Sequence, residues 1–321
     1  MRDTPVTALA VAGPTASGKT ALSLPLAARY GGEILCCDSM QIYRGMDVGT
    51  AKATKEEQTA APHHLLDIAD PTEPFSAADY GESAFSVARE VCERGKLPIF
   101  VGGTGLYLRA ALRARHQAPM TDDPAYREEL AERAAREGKE SVHALLACVD
   151  PESAAAIHPN NLRRVIRALE IYRVTGKTKT EWDRESLATP PRIRCLILYP
   201  TFEDRELLYR RIDERVDEMF RNGLVAEVKT LWERGMLPPD STAAQAIGYK
   251  EVLGHLRGEE SEEAAKEAVK LATRHYAKRQ ITWFSAEEGV CPIRMDEGGR
   301  MRHREEILAD AFRAADAFLS P

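Results

Sequence analysis

A doubly wound parallel α/β sheet interrupted by a helical insertion is the fold class the sequence predicts, and three observations predict it. Short apolar runs alternate with helical patterns in the N-terminal third. Two of those runs end in glycine-rich turns, at Gly13 and at Gly102. A stretch from about Met120 to Lys179 then carries helical periodicity with no convincing strand before β character returns at Ile193. Strands and helices alternating in short order build a parallel sheet covered on both faces, with its site at the carboxyl ends of the strands. The expected organisation is a P-loop catalytic core of residues 1–118 and 190–321, with residues 119–189 inserted as a helical domain.

Each element follows from its local pattern. Thr7 to Ala12 is short, apolar and followed at once by a glycine-rich turn, as suits a buried parallel strand. Thr20 to Tyr30 reads as a helix stopped by Gly31-Gly32, with Pro25 inside it expected to distort it. Glu33 to Cys37 is a second strand, ending at Asp38. Phe75 to Arg94 is a helix entered through Ser76, and Leu97 to Val101 a third strand leading into Gly102-Gly103-Thr104-Gly105. The insertion holds helices over Tyr126 to Glu137, Ser141 to Cys148, Pro151 to Ile157 and Leu162 to Thr175. After the strand at Ile193 to Tyr199, Glu203 to Arg221 is amphipathic, with Leu208, Ile212, Val216 and Phe220 on one stripe. Leu224 to Arg234, Glu262 to Phe284 and Glu305 to Phe318 complete the helices.

Composition narrows the function classes. The 321 residues are 44% hydrophobic and 29% charged, too apolar for a disordered chain. No apolar run approaches the roughly 20 residues that span a bilayer, and the N-terminal apolar stretch is broken by Gly13-Pro14 and makes a poor signal peptide. Six cysteines with no metal-binding spacing read as reduced thiols, so a cytoplasmic protein is expected. A net charge of −6 excludes a protein coated uniformly for nucleic acid and leaves room for a local basic groove. Without a heptad or a self-pairing edge, a monomer is expected.

Gly13-Pro14-Thr15-Ala16-Ser17-Gly18-Lys19-Thr20 matches the phosphate-loop pattern G-x-x-x-x-G-K-[ST]. Its glycines let backbone N–H groups converge on an anion at a helix N-terminus, Lys19 adds a point charge, and Thr20 can ligate Mg²⁺. A chance match in a chain this long has odds on the order of 1%, so a di- or triphosphate site is expected here. A nucleotide hydrolase carries a further apolar strand ending in a metal-binding Asp; the strand at Leu97 ends instead in Gly-Gly-Thr-Gly. The acid placed to reach the phosphates is Asp38, as a metal ligand, a general base, or a loop carboxylate capping something local.

Two stretches concentrate basic residues. Ser153 to Leu169 holds no acid while Arg163, Arg164 and Arg167 recur at helical spacing. Val269 to Ala286 holds none while Lys270, Arg274 and Lys278 share a face, with Arg279, Tyr276, Trp283 and Phe284 interleaved. Each could be a solvated face; together, on an acidic chain, they favour a polyanion such as RNA. Arginines of the Glu203 to Arg221 helix are matched by acids, so surface pairing is the default there, although Arg211 and Arg215 share a face that could turn toward phosphate. His63-His64 lacks ligand-spaced neighbours and reads as structural or substrate-lining.

GPTASGKT from Gly13, DSMQIYRGMDVGTAK from Asp38, PHHLLD from Pro62, FVGGTGLYLRA from Phe100, NNLRRVIRALEIYRVTG from Asn160, AIGYKE from Ala246 and KRQITWF from Lys278 together resemble the bacterial tRNA dimethylallyltransferases, in order and over nearly the whole chain. The resemblance implies transfer of a dimethylallyl group from dimethylallyl diphosphate to N6 of the adenosine 3′ of the anticodon, with the helical insertion clamping the anticodon stem. It implies Asp38 as general base, Thr104 as an orienting hydroxyl, and Arg215 with Lys19 against the diphosphate. tRNA contacts are implied for Asp38, Ser39, Met40, Gln41, Thr104, Arg127, the segment Arg163-Arg164-Val165-Ile166-Arg167, and Lys278 with Arg279. Relatives often carry Gln-Arg where this chain has Arg163-Arg164. The competing class is a kinase using the same loop for ATP on a small molecule or nucleic acid.

Overall fold

The computed structural model describes residues 6–113, 123–287 and 289–320. The chain divides into two compact units, Met1–Leu112 with Arg192–Pro321, and Arg113–Pro191. The expected boundary between residues 118 and 119, and the start of the helical stretch at Met120, lie outside the described residues.

The first unit runs β1 (Val6–Ala12), α1 (Lys19–Tyr30), β2 (Gly32–Cys36), α2 (Lys55–Ala60), β3 (His63–His64), α3 (Ala77–Glu93), β4 (Leu97–Gly102) and α4 (Gly105–Leu112) before the chain leaves it. The second unit is α5 (Pro124–Glu137), α6 (Lys139–Val149), α7 (Pro151–Ala156), α8 (Leu162–Thr175) and α9 (Lys179–Ala188). Back in the first unit follow β5 (Ile193–Thr201), α10 (Arg205–Arg221), α11 (Leu224–Glu233), α12 (Tyr249–Leu256), α13 (Glu262–Ser285), β6 (Val290–Arg294), the small hairpin β7 (Asp296–Glu297) and β8 (Arg300–Met301), and α14 (Arg304–Leu319).

Six parallel strands form the sheet in the order β3-β2-β4-β1-β5-β6. The chain steps from β1 over β4 to β2 and later returns to the other side of β1, so the carboxyl ends of β1 and β4 flank a topological switch point. Alternation across the pleat divides the core between the two faces. Leu9, Val11, Ile34, Ile99 and Leu198 pack with Leu22 and Leu26 of α1 and Ile307 and Ala311 of α14. Ala8, Ala10, Leu35, Phe100 and Tyr199 pack on the opposite face with Tyr80 and Ala84 of α3, Val228 of α11 and Tyr249 of α12.

Local chemistry explains the helix limits. Ser76 caps α3 through a reciprocal box with Asp79, as its place before the helical run predicts. Pro25 lies inside α1 without ending it; the carbonyl that loses its donor belongs to Ala21, an exposed residue of the first turn. Arg192 fastens the point where the chain returns to the first unit. Its N–H bonds the carbonyl of Leu112, and its guanidinium reaches the carbonyls of Gly81, Ala110 and Ala111 and the carboxylate of Glu82.

The second unit has its own core, in which Leu130, Val142 and Leu146 meet Val165, Ile166 and Leu169 of α8. Val165 and Ile166, expected beside RNA, therefore turn their side chains inward while Arg163 and Arg164 are exposed; the i, i+3, i+4 period of α8 separates the two sets. Ile166→Ala should cost about 2–5 kcal/mol in chemical denaturation. A loss below about 0.5 kcal/mol, the range of a surface substitution, would contradict that burial.

Candidate active site

The loop between β1 and α1 is the floor of a crevice at the switch point. Gly18 caps α1 at φ 88° and Ala16 adopts φ 59°, an uncommon conformation for a residue with a side chain. Lys19 Nζ donates to the carbonyls of Pro14 and Gly13 at 2.7 and 3.2 Å, which leaves one of its three protons for another acceptor. Ser17 Oγ is buried without a partner, and Thr20 is exposed in the first turn of α1.

Close approach of two turns brings Asp38 to Thr104. Cys37 N–H bonds the Val101 carbonyl at 2.8 Å, and Thr104 N–H bonds the Cys37 carbonyl at 3.2 Å. Gly102 stands so near that a Cβ on it would fall 1.9 Å from the Cys37 carbonyl oxygen, so only glycine fits. Thr104 Oγ1 accepts from Ser39 N–H at 3.0 Å and lies 3.3 Å from Ser39 Oγ. Asp38 Oδ1 accepts from Met40 N–H at 2.9 Å. The carboxylate thus caps its own turn with one oxygen while also lining the crevice.

Helix α10 supplies the far wall. Arg211 Nε donates to the Ala16 carbonyl at 3.0 Å, and Arg215 Nη2 to the Thr50 carbonyl at 3.4 Å, while Arg215 Nε is buried without a partner. Both arginines turn toward the phosphate loop. Two acids of the helix are paired away from the crevice, Asp217 with Lys270 at 2.9 Å and Asp213 with Arg274 at 3.5 Å, while Glu214 and Glu218 line it. The first two cations of the Val269 to Ala286 stripe, Lys270 and Arg274, are thus paired with α10. Lys278 and Arg279 remain exposed, and Arg279 lines the crevice.

Lys19, Asp38, Arg211, Arg215 and Arg279 border one cavity of about 870 Å³. Burial, then the nearby Arg215 guanidinium, pulls Lys19 down to about 7 against the opposing pull of Asp38. Burial likewise lowers Arg215, opposed by Asp38 and Glu218. Burial, then the Asp38 charge, pushes Tyr276 up to about 12, so its hydroxyl beside Thr104 keeps its proton.

One crevice residue escapes a sequence search. Gln280 accepts from Thr15 N–H and donates to the Gly103 carbonyl, both at 2.9 Å, tying the phosphate loop to the turn that carries Thr104. It lies in the KRQITWF block yet is uncharged, so a search for basic residues passes over it. Tyr276, interleaved in the basic stripe, lines the crevice as well. Gln41 donates to the carbonyls of Thr50 and Ala51, and Met40 lines the cavity. In the second unit, Arg127 and Arg167 both pair with buried Glu170 at 2.8 Å. His64 pairs with Glu33 at 2.6 Å, and His63 lines the crevice. No group of three His, Cys, Asp or Glu side chains able to hold a metal occurs among the described residues, and no helix among them is long and apolar enough to cross a membrane.

Fold and crevice define a class, the phosphate-loop α/β enzymes, here with half-buried cations facing a carboxylate across one cavity. The chain belongs to the IPP transferase family, whose model matches residues 41–287, while a second model, described as isopentenyl transferase, matches residues 6–73. It is 48% identical to tRNA dimethylallyltransferase 1 of Trichlorobacter lovleyi over 92% of this chain and 96% of that protein. It is 49% identical to tRNA dimethylallyltransferase of Geobacillus thermodenitrificans over 85% of this chain and 86% of that one. Among solved structures, the full-length tRNA isopentenylpyrophosphate transferase of Bacillus halodurans matches with TM-score 0.69 at 42% identity, covering 97% of this chain and 96% of that one. A eukaryotic dimethylallyltransferase acting on tRNA matches with TM-score 0.80 at 29% identity, covering 97% of this chain and 78% of that one.

The lowered Lys19 gives a signed pH dependence. A bound diphosphate favours the protonated amine and raises its pKa, so the Lys19 contribution to binding is full below about 7 and declines as pH rises above it. Calorimetric titration of inorganic diphosphate into wild type and Lys19→Met, from about pH 6 to about pH 8.5, cancels the ionisation of the ligand. The ratio of the two affinities should fall by up to about tenfold per pH unit above neutrality; a flat ratio would refute the shift.

Proposed function

We propose that the protein transfers a dimethylallyl group from dimethylallyl diphosphate to N6 of the adenosine 3′ of the anticodon in tRNA, releasing diphosphate. The observation that carries this reading is the crevice itself: Lys19, Arg215 and the unpartnered Ser17 Oγ and Arg215 Nε gather with Asp38 and Ser39, and Ser39 is hydrogen-bonded to Thr104. Family membership sets the kinase alternative aside.

The allylic C–O bond breaks and its electron pair leaves with the diphosphate. Residues Gly13 to Thr20 cradle that anion with backbone N–H groups, and Lys19 and Arg215 stabilise the charge that develops on the bridging oxygen. N6 bonds to the allylic carbon, and the proton it sheds passes to Asp38, whose second oxygen faces no partner in its own turn. Thr104, set by Ser39 and Tyr276, orients the nucleotide. The adenosine must leave its stack to enter the cavity.

Mg²⁺ fits this site as a partner of the diphosphate. The protein offers the Thr20 hydroxyl and no cage of three ligands among the described residues, which suits a cation that keeps water and substrate phosphate oxygens. When bound, it adds positive charge against the leaving group. Ser39, Met40, Gln41, Lys278 and Arg279 meet the anticodon loop, and exposed Arg163 and Arg164, with Arg127 and Arg167, meet the stem phosphates. The protein acts as a cytoplasmic monomer.

Incubation with Mg²⁺, unmodified tRNA and either dimethylallyl diphosphate or ATP, followed by nucleoside mass spectrometry, tests the reaction. One added five-carbon unit on adenosine, dependent on the prenyl donor and indifferent to ATP, is expected; phosphate transfer from ATP instead would overturn it. Asp38→Asn should lower kcat by about 10²–10⁴-fold with diphosphate affinity retained. Replacing Arg163 and Arg164 by alanine should flatten the salt dependence of tRNA binding, the slope falling by about 0.7–0.9 for each phosphate no longer neutralised; an unaltered slope would remove both from the interface.

A further inference from the structure

One carboxylate outside the groups already assigned is committed to holding backbone. Glu227 of α11 accepts from three consecutive N–H groups: Asp47 and Val48 on Oε2 at 2.9 and 2.7 Å, and Gly49 on Oε1 at 3.0 Å. The Tyr249 hydroxyl of α12 donates to Oε1 at 2.5 Å. Four donors on an ionised acceptor fix the turn more firmly than neutral hydrogen bonds would. Burial, reinforced by the Glu227 charge, drives the Tyr249 hydroxyl far above its ordinary value and keeps it a donor. Gly49 is where this backbone slides under the ring, since a Cβ there would fall 2.5 Å from Tyr249.

The held segment ends at Thr50, whose hydroxyl bonds back to the Met46 carbonyl at 2.6 Å. Its carbonyl points at the crevice and accepts from Gln41 Nε2 at 3.1 Å and Arg215 Nη2 at 3.4 Å. Arg215 Nε has no partner, so the Thr50 carbonyl is a principal restraint on the direction of that guanidinium. A rotation of the 47–50 turn would move the oxygen and release Arg215 into other rotamers.

We infer that Glu227, supported by Tyr249, is a positioning residue for donor binding: it fixes the 47–49 backbone so that the Thr50 carbonyl aims Arg215 at the diphosphate. This rests on the reading of Arg215 as a diphosphate ligand. Purely structural support would stabilise the fold without making its effect on binding depend on Arg215. Coupling is therefore the discriminating readout.

The experiment is a double-mutant cycle on the Kd for inorganic diphosphate, read by calorimetry, with thermal midpoints taken in parallel. Glu227→Gln, Arg215→Ala and the double variant are compared with wild type. Tyr249→Phe, which removes a single donor, serves where Glu227→Gln fails to fold. Glu227→Gln should weaken diphosphate about tenfold and Tyr249→Phe about threefold, and both effects should vanish in the Arg215→Ala background. An undiminished effect in that background, or no effect on Kd in the native one, would overturn the inference. If Arg215→Ala itself leaves Kd unchanged, the assignment of Arg215 to the diphosphate fails, and that result is distinct from a failure of Glu227.

Discussion

Two half-buried cations facing one crevice govern this structure. Lys19 and Arg215 each lose hydration in the crevice and repel one another, and the repulsion registers in the lowered pKa of the lysine. Burying like charges is unfavourable unless a counter-charge is present or expected. Asp38 compensates from across the cavity, and the carbonyls of Gly13, Pro14 and Thr50 accept some of the protons. Ser17 Oγ and Arg215 Nε stay unpartnered. Such a crevice is polarised before a ligand arrives, and a polyanion that enters it meets donors already in place.

An acidic chain can hold such a site because some of the acids nearest to it are paired away from it. Helix α10 carries arginines and carboxylates along its length, and the 3.6-residue period sorts them. Arg211 and Arg215 face the phosphate loop, whereas Asp213 and Asp217 face α13, where they pair with Arg274 and Lys270. Pairing across the helix–helix contact takes Asp213 and Asp217 away from the crevice, so that Glu214 and Glu218 are the α10 carboxylates lining it beside the arginines. The same pairing engages Lys270 and Arg274, while Lys278 and Arg279 at the far end of α13 are exposed.

Legibility in the sequence follows how locally each feature is encoded. β1, β2, β4 and β5 are apolar runs closed by turns, and the apolar period of α8 with Gly176 behind it bounds that helix residue for residue. β6 escapes such a reading: Val290-Cys291-Pro292-Ile293-Arg294 carries a proline, which a strand tolerates at a sheet edge, and β6 is that edge. α4 escapes it because it starts on a glycine that continues a glycine-rich turn. In the crevice, Lys19, Thr20, Asp38 and Thr104 stand in or beside recognisable motifs. Gln280 and Glu227 do not declare themselves, because their partners are backbone groups distant in sequence, and Glu227 two residues before Lys229 reads as an ordinary solvated helix position.

The end of β4 shows why the phosphate loop serves a different chemistry here. In nucleotide hydrolases a neighbouring strand ends in an acid that holds the metal against the loop. At Gly102 any side chain would strike the Cys37 carbonyl, and at Gly103 a Cβ would fall 2.1 Å from the Gln280 amide. Neither position can carry a carboxylate without dismantling the hydrogen bonds that join the two turns. The wall beside the loop is therefore closed to an acid, and the first side chain free to act there is the Thr104 hydroxyl. The carboxylate beside it follows β2, as Asp38, with one oxygen engaged by Met40 N–H. In the proposed reaction, that arrangement separates the anion cradle from the proton acceptor, as suits a diphosphate that departs whole while the proton leaves from the other reactant.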